Sequence, residues 1–245
     1  MIMKRPKALF VDNKYCPGCG HGIINRLVAE VLEETGEDKK ALAAIAVGCA
    51  SLMPDTFGID LVQAQHGRAA AVAVGMKRCR PDSIVFSYQG DGDALAIGFS
   101  ETMWSAIRNE NITIIFVNNG NFGMTGGQMA PTTLEGQKTT TSVKGRDCSV
   151  TGHPLDAIQL MRQLDVAYLA RVSITDPKNI RKAKKAIQTA FECQKQKRGF
   201  SFVEVLSPCP TNWKMSPLDC MKRIEDVVEE TYPLVEYKLW EEKNV

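Results

Sequence analysis

Asp91 stands between two glycines in the run Gln89-Gly90-Asp91-Gly92-Asp93, and a pair of amides, Asn118-Asn119, follows further along the chain. Glycine-flanked backbone N–H groups at the start of a helix attract an anion. A carboxylate at the same place tolerates that anion only if a cation bridges the two. Mg²⁺ held by one or two carboxylates and ligand phosphates meets both demands, and the amide oxygen of Asn119 is a further hard donor. Taken singly, Gly-Asp-Gly is equally a turn and Asn-Asn equally a strand-end cap. Their placement after successive strands favours a metal–phosphate site. The second chemistry lies in sulfur. The chain has eight cysteines, and Cys16 and Cys19 form a CxxC pair in the loop Tyr15-Cys16-Pro17-Gly18-Cys19-Gly20-His21-Gly22. Such a pair is a redox couple, half a zinc site or part of an iron–sulfur site, and four thiolates close either of the last two.

These residues need elements to carry them. Ile23, Ile24, Leu27, Val28, Val31 and Leu32 recur at helical spacing and predict an amphipathic helix after the cysteine loop, stopped by Gly36. Residues 42–47 predict a short buried strand ending at Gly48-Cys49-Ala50-Ser51. Residues 67–77, rich in Ala and Val, predict a buried helix, and 83–88 a strand that runs into Gly90-Asp91-Gly92. A helix over 94–108 and a continuous apolar strand over 112–117 follow, the latter running into Asn118-Asn119. Residues 121–146 are Gly-rich with little periodicity and read as a long binding loop or lid. Beyond it come a helix over 155–164, a strand over 166–172 and a basic helix opened by Pro177 and ending near Lys197. A strand over 200–206 leads into Ser207-Pro208-Cys209-Pro210, and Ser216-Pro217 opens the last helix before a charged tail.

The alternation predicts an α/β fold: a doubly wound, mostly parallel sheet with helices on both faces. No repeat or linker interrupts it, so residues 1–245 read as a single domain with an N-terminal cysteine loop and a C-terminal helical tail. In such sheets ligands bind at the carboxyl ends of strands. That edge would gather Gly48-Cys49, the Asp91 loop, Asn118-Asn119 and Cys209.

Composition sets the class. With 245 residues, 44% hydrophobic, 24% charged and net charge +2, the chain suits a folded domain and neither a nucleic-acid binder nor a membrane-surface protein. Disulfide frameworks belong to small secreted domains. Residues 1–13 are charged and lack an apolar signal core, so a cytoplasmic setting with reduced thiols is expected.

Gly90-Asp91-Gly92 followed by Asn118-Asn119 resembles the thiamine diphosphate fingerprint. With Cys16-Pro17-Gly18-Cys19-Gly20-His21-Gly22, Gly48-Cys49, His66-Gly67-Arg68, residues 122–128 and Ser207-Pro208-Cys209-Pro210, the chain is similar, over residues 15–213, to the β subunit of 2-oxoacid:ferredoxin oxidoreductases. The resemblance implies a thiamine diphosphate-binding fold of the diphosphate type. It implies that Asp91, the Asn119 side chain and the Asn121 carbonyl hold Mg²⁺, with Gly92 and Asp93 against the diphosphate. Gly48, Cys49 and Ala50 would line the cofactor, His66 would stand near the phosphates, and Gly123 and Met124 near the thiazolium ring. Met124 is the candidate for the bulky residue beneath the cofactor, with plain core filling as its alternative. Cys16, Cys19, Cys49 and Cys209 would hold a 4Fe–4S cluster.

The activity so implied is coenzyme A-dependent oxidative decarboxylation of a 2-oxoacid, with electrons passed through the cluster to ferredoxin. The carboxylate that activates the cofactor would come from a separate α, pyrimidine-domain subunit, so no catalytic residue is assigned to this chain and the chain alone should be inactive. Further γ and ferredoxin-like δ subunits would complete the complex. A 2-oxoglutarate enzyme should offer a cation to the distal carboxylate. Ala50-Ser51-Leu52-Met53 offers none, which slightly favours 2-oxoisovalerate. The alternatives are a non-oxidative thiamine diphosphate-dependent decarboxylase or synthase, and a zinc-stabilised module without catalysis. Cys79, Cys148, Cys193 and Cys220 are read as ordinary thiols and His21 as orienting the cysteine loop. His153 is read as a helix-entry residue, and the basic run 181–185 as a solvated helix face, or else a docking surface for acidic ferredoxin.

Overall fold

The computed structural model describes residues 5–242; the first four residues of the N-terminal stretch and the last three of the tail lie outside the described residues. In chain order the strands are β1 (Leu42–Ile45), β2 (Asp60–Gln63), β3 (Val85–Gly90), β4 (Thr113–Asn118), a hairpin of β5 (Asn121–Phe122) and β6 (Gln128–Met129), β7 (Tyr168–Ser173), β8 (Ser201–Leu206) and β9 (Val235–Lys238). The helices used below are α1 (Gly20–Glu34), α2 (Ala69–Cys79), α3 (Phe99–Ile107), α4 (Cys148–Thr151), α5 (Ala157–Met161), α6 (Pro177–Lys195), α7 (Pro210–Trp213) and α8 (Pro217–Arg223). No helix among the described residues is long and apolar enough to cross a membrane.

Seven strands form one sheet in the order β2-β1-β3-β4-β8-β7-β9, parallel except for β9. Strands β4, β7 and β8 are buried throughout, as central strands covered on both faces must be, and β7 and β8 each carry one charged residue into that interior. Helices α1 and α6 pack together as one layer, and α2 and α3 as another. Helix α6 begins at Pro177, whose missing N–H costs nothing at a helix start, and Asp176 caps it by accepting from the N–H groups of Lys178 and Asn179.

Register places the site. Ile45 pairs with Tyr88, Gly90 with Val117 and Asn118 with Leu206. Gly48, Asp91 and the Asn118-Asn119 step therefore emerge level with one another at one sheet edge. The chain leaves β1 toward β2 on one side and leaves β3 toward β4 on the other. A crevice opens between these diverging connections, where α/β sheets bind ligands.

Three elements differ from expectation. Strand β2 was unforeseen because Asp60-Leu61-Val62-Gln63 is a mostly exposed edge with no apolar run. The tail, expected to be helical, contains β9. Its half-buried Val235 and Tyr237 alternate with exposed Glu236 and Lys238, and it adds antiparallel to β7. The long loop contains the β5–β6 hairpin and is pinned internally by a buried arginine described below. His153 does not start α5. Asp156 caps it, its Oδ1 accepting from the N–H of Gln159 at 3.1 Å.

The same Asp156 belongs to a buried charge cluster under the site. Arg171 is 1% exposed, and it donates from Nε to Glu204 Oε2 at 2.8 Å and from Nη2 to Asp156 Oδ1 at 2.5 Å. The other oxygen of Glu204 accepts from the Asn118 amide at 2.7 Å. Removing one partner of a buried pair strands the other charge, which costs about 3–5 kcal/mol. Glu204→Ala should lose that much in equilibrium urea unfolding, and Glu204→Gln, which keeps an acceptor for Arg171, distinctly less. Equal losses in the two variants would show that the charge is not what matters.

Candidate cofactor site

Asp91 follows the last residue of β3 and is 1% exposed. Its carboxylate accepts from the N–H of Gly92 at 2.8 Å and from the Thr132 hydroxyl at 2.6 Å, and the backbone N–H groups of Asn119 and Gly120 also point at it. Burial nevertheless dominates and pushes the carboxyl up to about 6. Among the described residues no basic side chain pairs with it. Thr132 is held in turn, since its carbonyl accepts from the Tyr232 hydroxyl at 3.1 Å.

The next turn comes from β4. Gly120 takes a positive φ of 66°, which lets the chain double back between Asn119 and Asn121. Asn119 Oδ1 accepts from the N–H of Asn121 at 3.3 Å, and its carbonyl accepts from Trp213 Nε1 at 3.0 Å. Asn121 Oδ1 accepts from Asn212 Nδ2 at 3.1 Å, which fixes the side chain on α7. Gly92 has no room for a side chain, because a Cβ there would stand 2.4 Å from the Phe122 ring.

His66 and Asp93 form a second support. Asp93 Oδ1 lies 2.5 Å from His66 Nδ1 and accepts from the N–H of Gly67 at 2.7 Å, while Oδ2 accepts from Gln89 Nε2 at 2.8 Å. Asp93 thus lines the crevice, but its carboxylate is spent on holding His66 and is not offered to an anion. Beyond it the chain makes a π-helical turn over Asp93–Ile97, a distortion that concentrates at functional sites. That turn brings Gly98 onto Gly67 so closely that a Cβ on Gly98 would meet the Gly67 carbonyl at 2.4 Å.

The four cysteines at the sheet edge come next. Cys19 precedes α1, and the Gly20 N–H reaches the Pro208 carbonyl at 3.4 Å. A Cβ on Gly20 would clash with Ser207 Oγ at 2.2 Å, so the CxxC loop lies directly against the end of β8. There Cys209 is buried, with its sulfur 3.3 Å from Asn212 Nδ2. Burial pushes the Cys19 thiol up to about 12 and the Cys49 thiol up to about 11, and the nearby sulfurs of Cys16 and Cys209 add to both shifts. His21, buried against Tyr15 and within 2.6 Å of the Tyr88 hydroxyl, is pushed down to about 4 by burial and is neutral.

One crevice collects these parts. Gly48, Cys49 and Ala50 line it from β1, Asp91, Gly92 and Asp93 from β3, Asn119 and Asn121 from β4, and His66, Gly123 and Met124 from the loops. Met124 is 47% exposed there, so it is not core filling. Gly123 is the joint between the two chemistries, because a Cβ at that position would stand 3.0 Å from Cys49 Sγ.

The family model for the C-terminal TPP binding domain of thiamine pyrophosphate enzymes matches residues 45–205. The chain belongs to this thiamine pyrophosphate enzyme family. Among its relatives, the ketoisovalerate oxidoreductase subunit VorA of Methanothermobacter thermautotrophicus is 44% identical over 91% of this chain and 47% of the relative. The 2-oxoglutarate synthase subunit KorB of Archaeoglobus fulgidus is 35% identical over 86% of this chain and 75% of the relative. A solved 2-oxoglutarate:ferredoxin oxidoreductase from Magnetococcus marinus, with 2-oxoglutarate, coenzyme A and succinyl-CoA bound, superposes with a TM-score of 0.74 at 31% identity. That match covers 86% of this chain and 70% of that one. Within the thiamine pyrophosphate enzymes the chain therefore belongs with the 2-oxoacid oxidoreductase subunits. It spans about half the length of the VorA relatives it matches.

Several residues that build this crevice escaped the sequence reading. Thr132, Gln89, Tyr88, Trp213 and Asn212 all hold residues that face the crevice, and Glu204 holds Asn118 directly behind it. Only Thr132 carried a signal, as part of a Thr pair in the loop that had no structural reason to be there.

Proposed function

We propose that this chain is the diphosphate-binding β subunit of a 2-oxoacid:ferredoxin oxidoreductase, carrying out coenzyme A-dependent oxidative decarboxylation with electrons leaving through a 4Fe–4S cluster to ferredoxin. One observation carries the reading: a crevice with hard oxygen donors at Asp91 and Asn119 abuts, across Gly123, the sulfur of Cys49 and its three companion cysteines.

The residues fit the groups this implies. Asp91 is a buried carboxylate without a basic partner among the described residues, a position that a cation satisfies. Asp91, Asn119 and the Asn121 carbonyl would hold Mg²⁺ against a diphosphate. Cys16, Cys19, Cys49 and Cys209 would hold the 4Fe–4S cluster. A single zinc at about 2.3 Å from each sulfur draws four sulfurs to within about 4 Å of one another. Among the described residues only Glu135, Cys148 and His153 bring three ligand atoms within 4.8 Å, so no three of these sulfurs stand at the spacing a single zinc needs.

Bound there, thiamine diphosphate would supply carbanion and electron-sink chemistry, and the cluster one-electron acceptance. The chain's own residues would do the rest. Asp91 would anchor the metal, with Thr132 and three backbone N–H groups orienting its carboxylate. Asp93 would fix His66 beside the phosphates. Gly92 and Gly48 would leave the space the cofactor needs, and Met124 would lie beneath it. Neutral, buried His21 separates the cysteine loop from the crevice without adding charge.

Both carboxylates lining the crevice are committed, one to the metal and one to His66. The activating Glu would therefore come from an α subunit, with γ and ferredoxin-like δ subunits completing the complex. Exposed Ile97, Phe99, Trp104 and Ile107 give such a partner an apolar surface next to the His66 loop. Among the described residues the crevice lining contains no Lys or Arg, and VorA is named for ketoisovalerate, so 2-oxoisovalerate is preferred over 2-oxoglutarate. Anaerobic analysis of the purified chain for iron, sulfide and thiamine tests the cofactors. Iron and sulfide with retained thiamine are expected, whereas zinc without iron would overturn the reading. The chain alone should not decarboxylate a 2-oxoacid, and reconstitution with the α subunit should restore turnover. Robust activity of the single chain would refute the divided site.

A further inference from the structure

Away from the crevice, a carboxylate oxygen of Glu135, the Cys148 sulfur and a ring nitrogen of His153 lie within 4.8 Å of one another. None of the three has a part in the cofactor site. Thiolate, imidazole and carboxylate are the donors zinc takes, and the Cys-x₄-His spacing lies within the range its ligands span.

What distinguishes this cluster from three polar neighbours is the frame beneath it. Arg146, 5% exposed, donates from Nη1 to the carbonyls of Pro131 and Thr133 at 2.9 and 2.7 Å. Its Nε reaches the Gly152 carbonyl at 3.0 Å and its Nη2 the His153 carbonyl at 2.9 Å. The backbone of Arg146 is tied as well, its carbonyl accepting from Gly136 and its N–H donating to Gln137, so Glu135 runs beside it. Asp147 caps α4 through the Ser149 N–H at 2.9 Å and so fixes Cys148. Gly152, with φ at 73°, turns the chain so that His153 comes back beside Cys148. The Cys148 sulfur already stands beside the Glu135 carboxylate. One buried guanidinium thus holds the backbone just before Glu135 and at Gly152 and His153.

We propose that Glu135, Cys148 and His153 form a zinc site with its fourth position open to water. Metal binding joins the two ends of the 135–153 segment. The same segment begins next to Thr132 and Thr133, which bond Asp91 and the Gly120 carbonyl at 2.6 and 2.7 Å. A metal there braces the strap that holds the cofactor site, from outside it.

The probe is Co²⁺, then Zn²⁺, added anaerobically to the chelator-washed full chain while the cobalt–thiolate absorption is followed. One cobalt per chain with a thiolate band, displaced by one equivalent of zinc, is expected. The band should persist in Cys209→Ala, which disables the other cysteine set, and disappear in Cys148→Ala. His153→Gln should weaken zinc binding by at least the roughly 10–100-fold that loss of an outer-shell partner costs. Cys148 and His153 are not buried, so both variants should melt with the metal-free parent, and that melt is the folding control. Absence of a thiolate band would overturn the proposal. So would a band that survives Cys148→Ala and vanishes in Cys209→Ala.

Discussion

Asp91→Asn should give a metal-free chain that is more stable than its parent at neutral pH and yet retains no thiamine diphosphate. Both halves follow from the same buried carboxyl. Its ordinary value of 3.8 is raised to about 6 in the folded chain, chiefly by burial. Between those values the folded chain holds this proton more tightly than the unfolded chain does. Stability therefore falls as pH rises through the window and is lowest above about 6. A shift of roughly two units at ~1.4 kcal/mol each sets the loss at about 3 kcal/mol. Asn is neutral at every pH, so the variant should show a flat profile and regain at most that amount at pH 7. Urea unfolding at pH 5 and pH 7 with a chelator present checks it. Parent and variant sharing one pH slope would mean that Asp91 is not the titrating group. Binding runs the other way, because the metal needs the ionised carboxylate. Retention of thiamine diphosphate and Mg²⁺ by the parent should improve as pH rises through about 6. The variant should lose more than the roughly 10–100-fold expected for an outer partner such as Thr132, which Thr132→Val measures.

Cys209→Ala should separate the two chemistries of the site. Its sulfur is buried at the end of β8 and stands 3.8 Å from Asn121 Oδ1, whereas the hydrogen bonds that hold Asp91 come from Thr132 and Gly92. The variant should lose iron and sulfide and still retain thiamine diphosphate. Acceptor reduction in the reconstituted complex should fall by more than the roughly 10²–10³ that loss of a single catalytic hydrogen bond costs. Cys79→Ser, at the exposed end of α2, should leave both unchanged. A Cys209 variant that keeps its iron and its acceptor activity would remove this cysteine from the cluster. A variant that loses thiamine together with iron would show that the two groups are bound cooperatively.

The parts of the fold that could be read in advance are those whose signal is local. Strand β4 is an apolar run, β3, β7 and β8 are built around shorter apolar stretches, and α1 and α6 carry their own periodicity and stop signals. The crevice was equally legible, because glycines and amides directly after such runs mark the sheet edge. What could not be read depends on partners distant in sequence. Glu204 looks like a charge in the wrong place until Arg171 and Asn118 stand on either side of it. Asp93 looks like a residue set against the diphosphate until His66, Gly67 and Gln89 take up its oxygens. Strand β9 needs β7 to pair with before its half-apolar alternation has any meaning. Arg146 gave no hint of the loop it organises, because its partners are backbone carbonyls, and these leave no mark in the sequence.

The meeting of Gly67 and Gly98 has a mechanical meaning. Two backbones touch there with no side chain between them, so nothing soft is left to absorb a displacement. The loop that presents His66 and the start of α3 are therefore in direct backbone contact. A displacement at the exposed Phe99 should be felt at His66, and a ligand that draws His66 inward should pull on the same contact. Thermodynamic reciprocity then makes the traffic two-way. Whatever factor occupancy of the crevice lends to contacts on that helix, those contacts return to occupancy of the crevice.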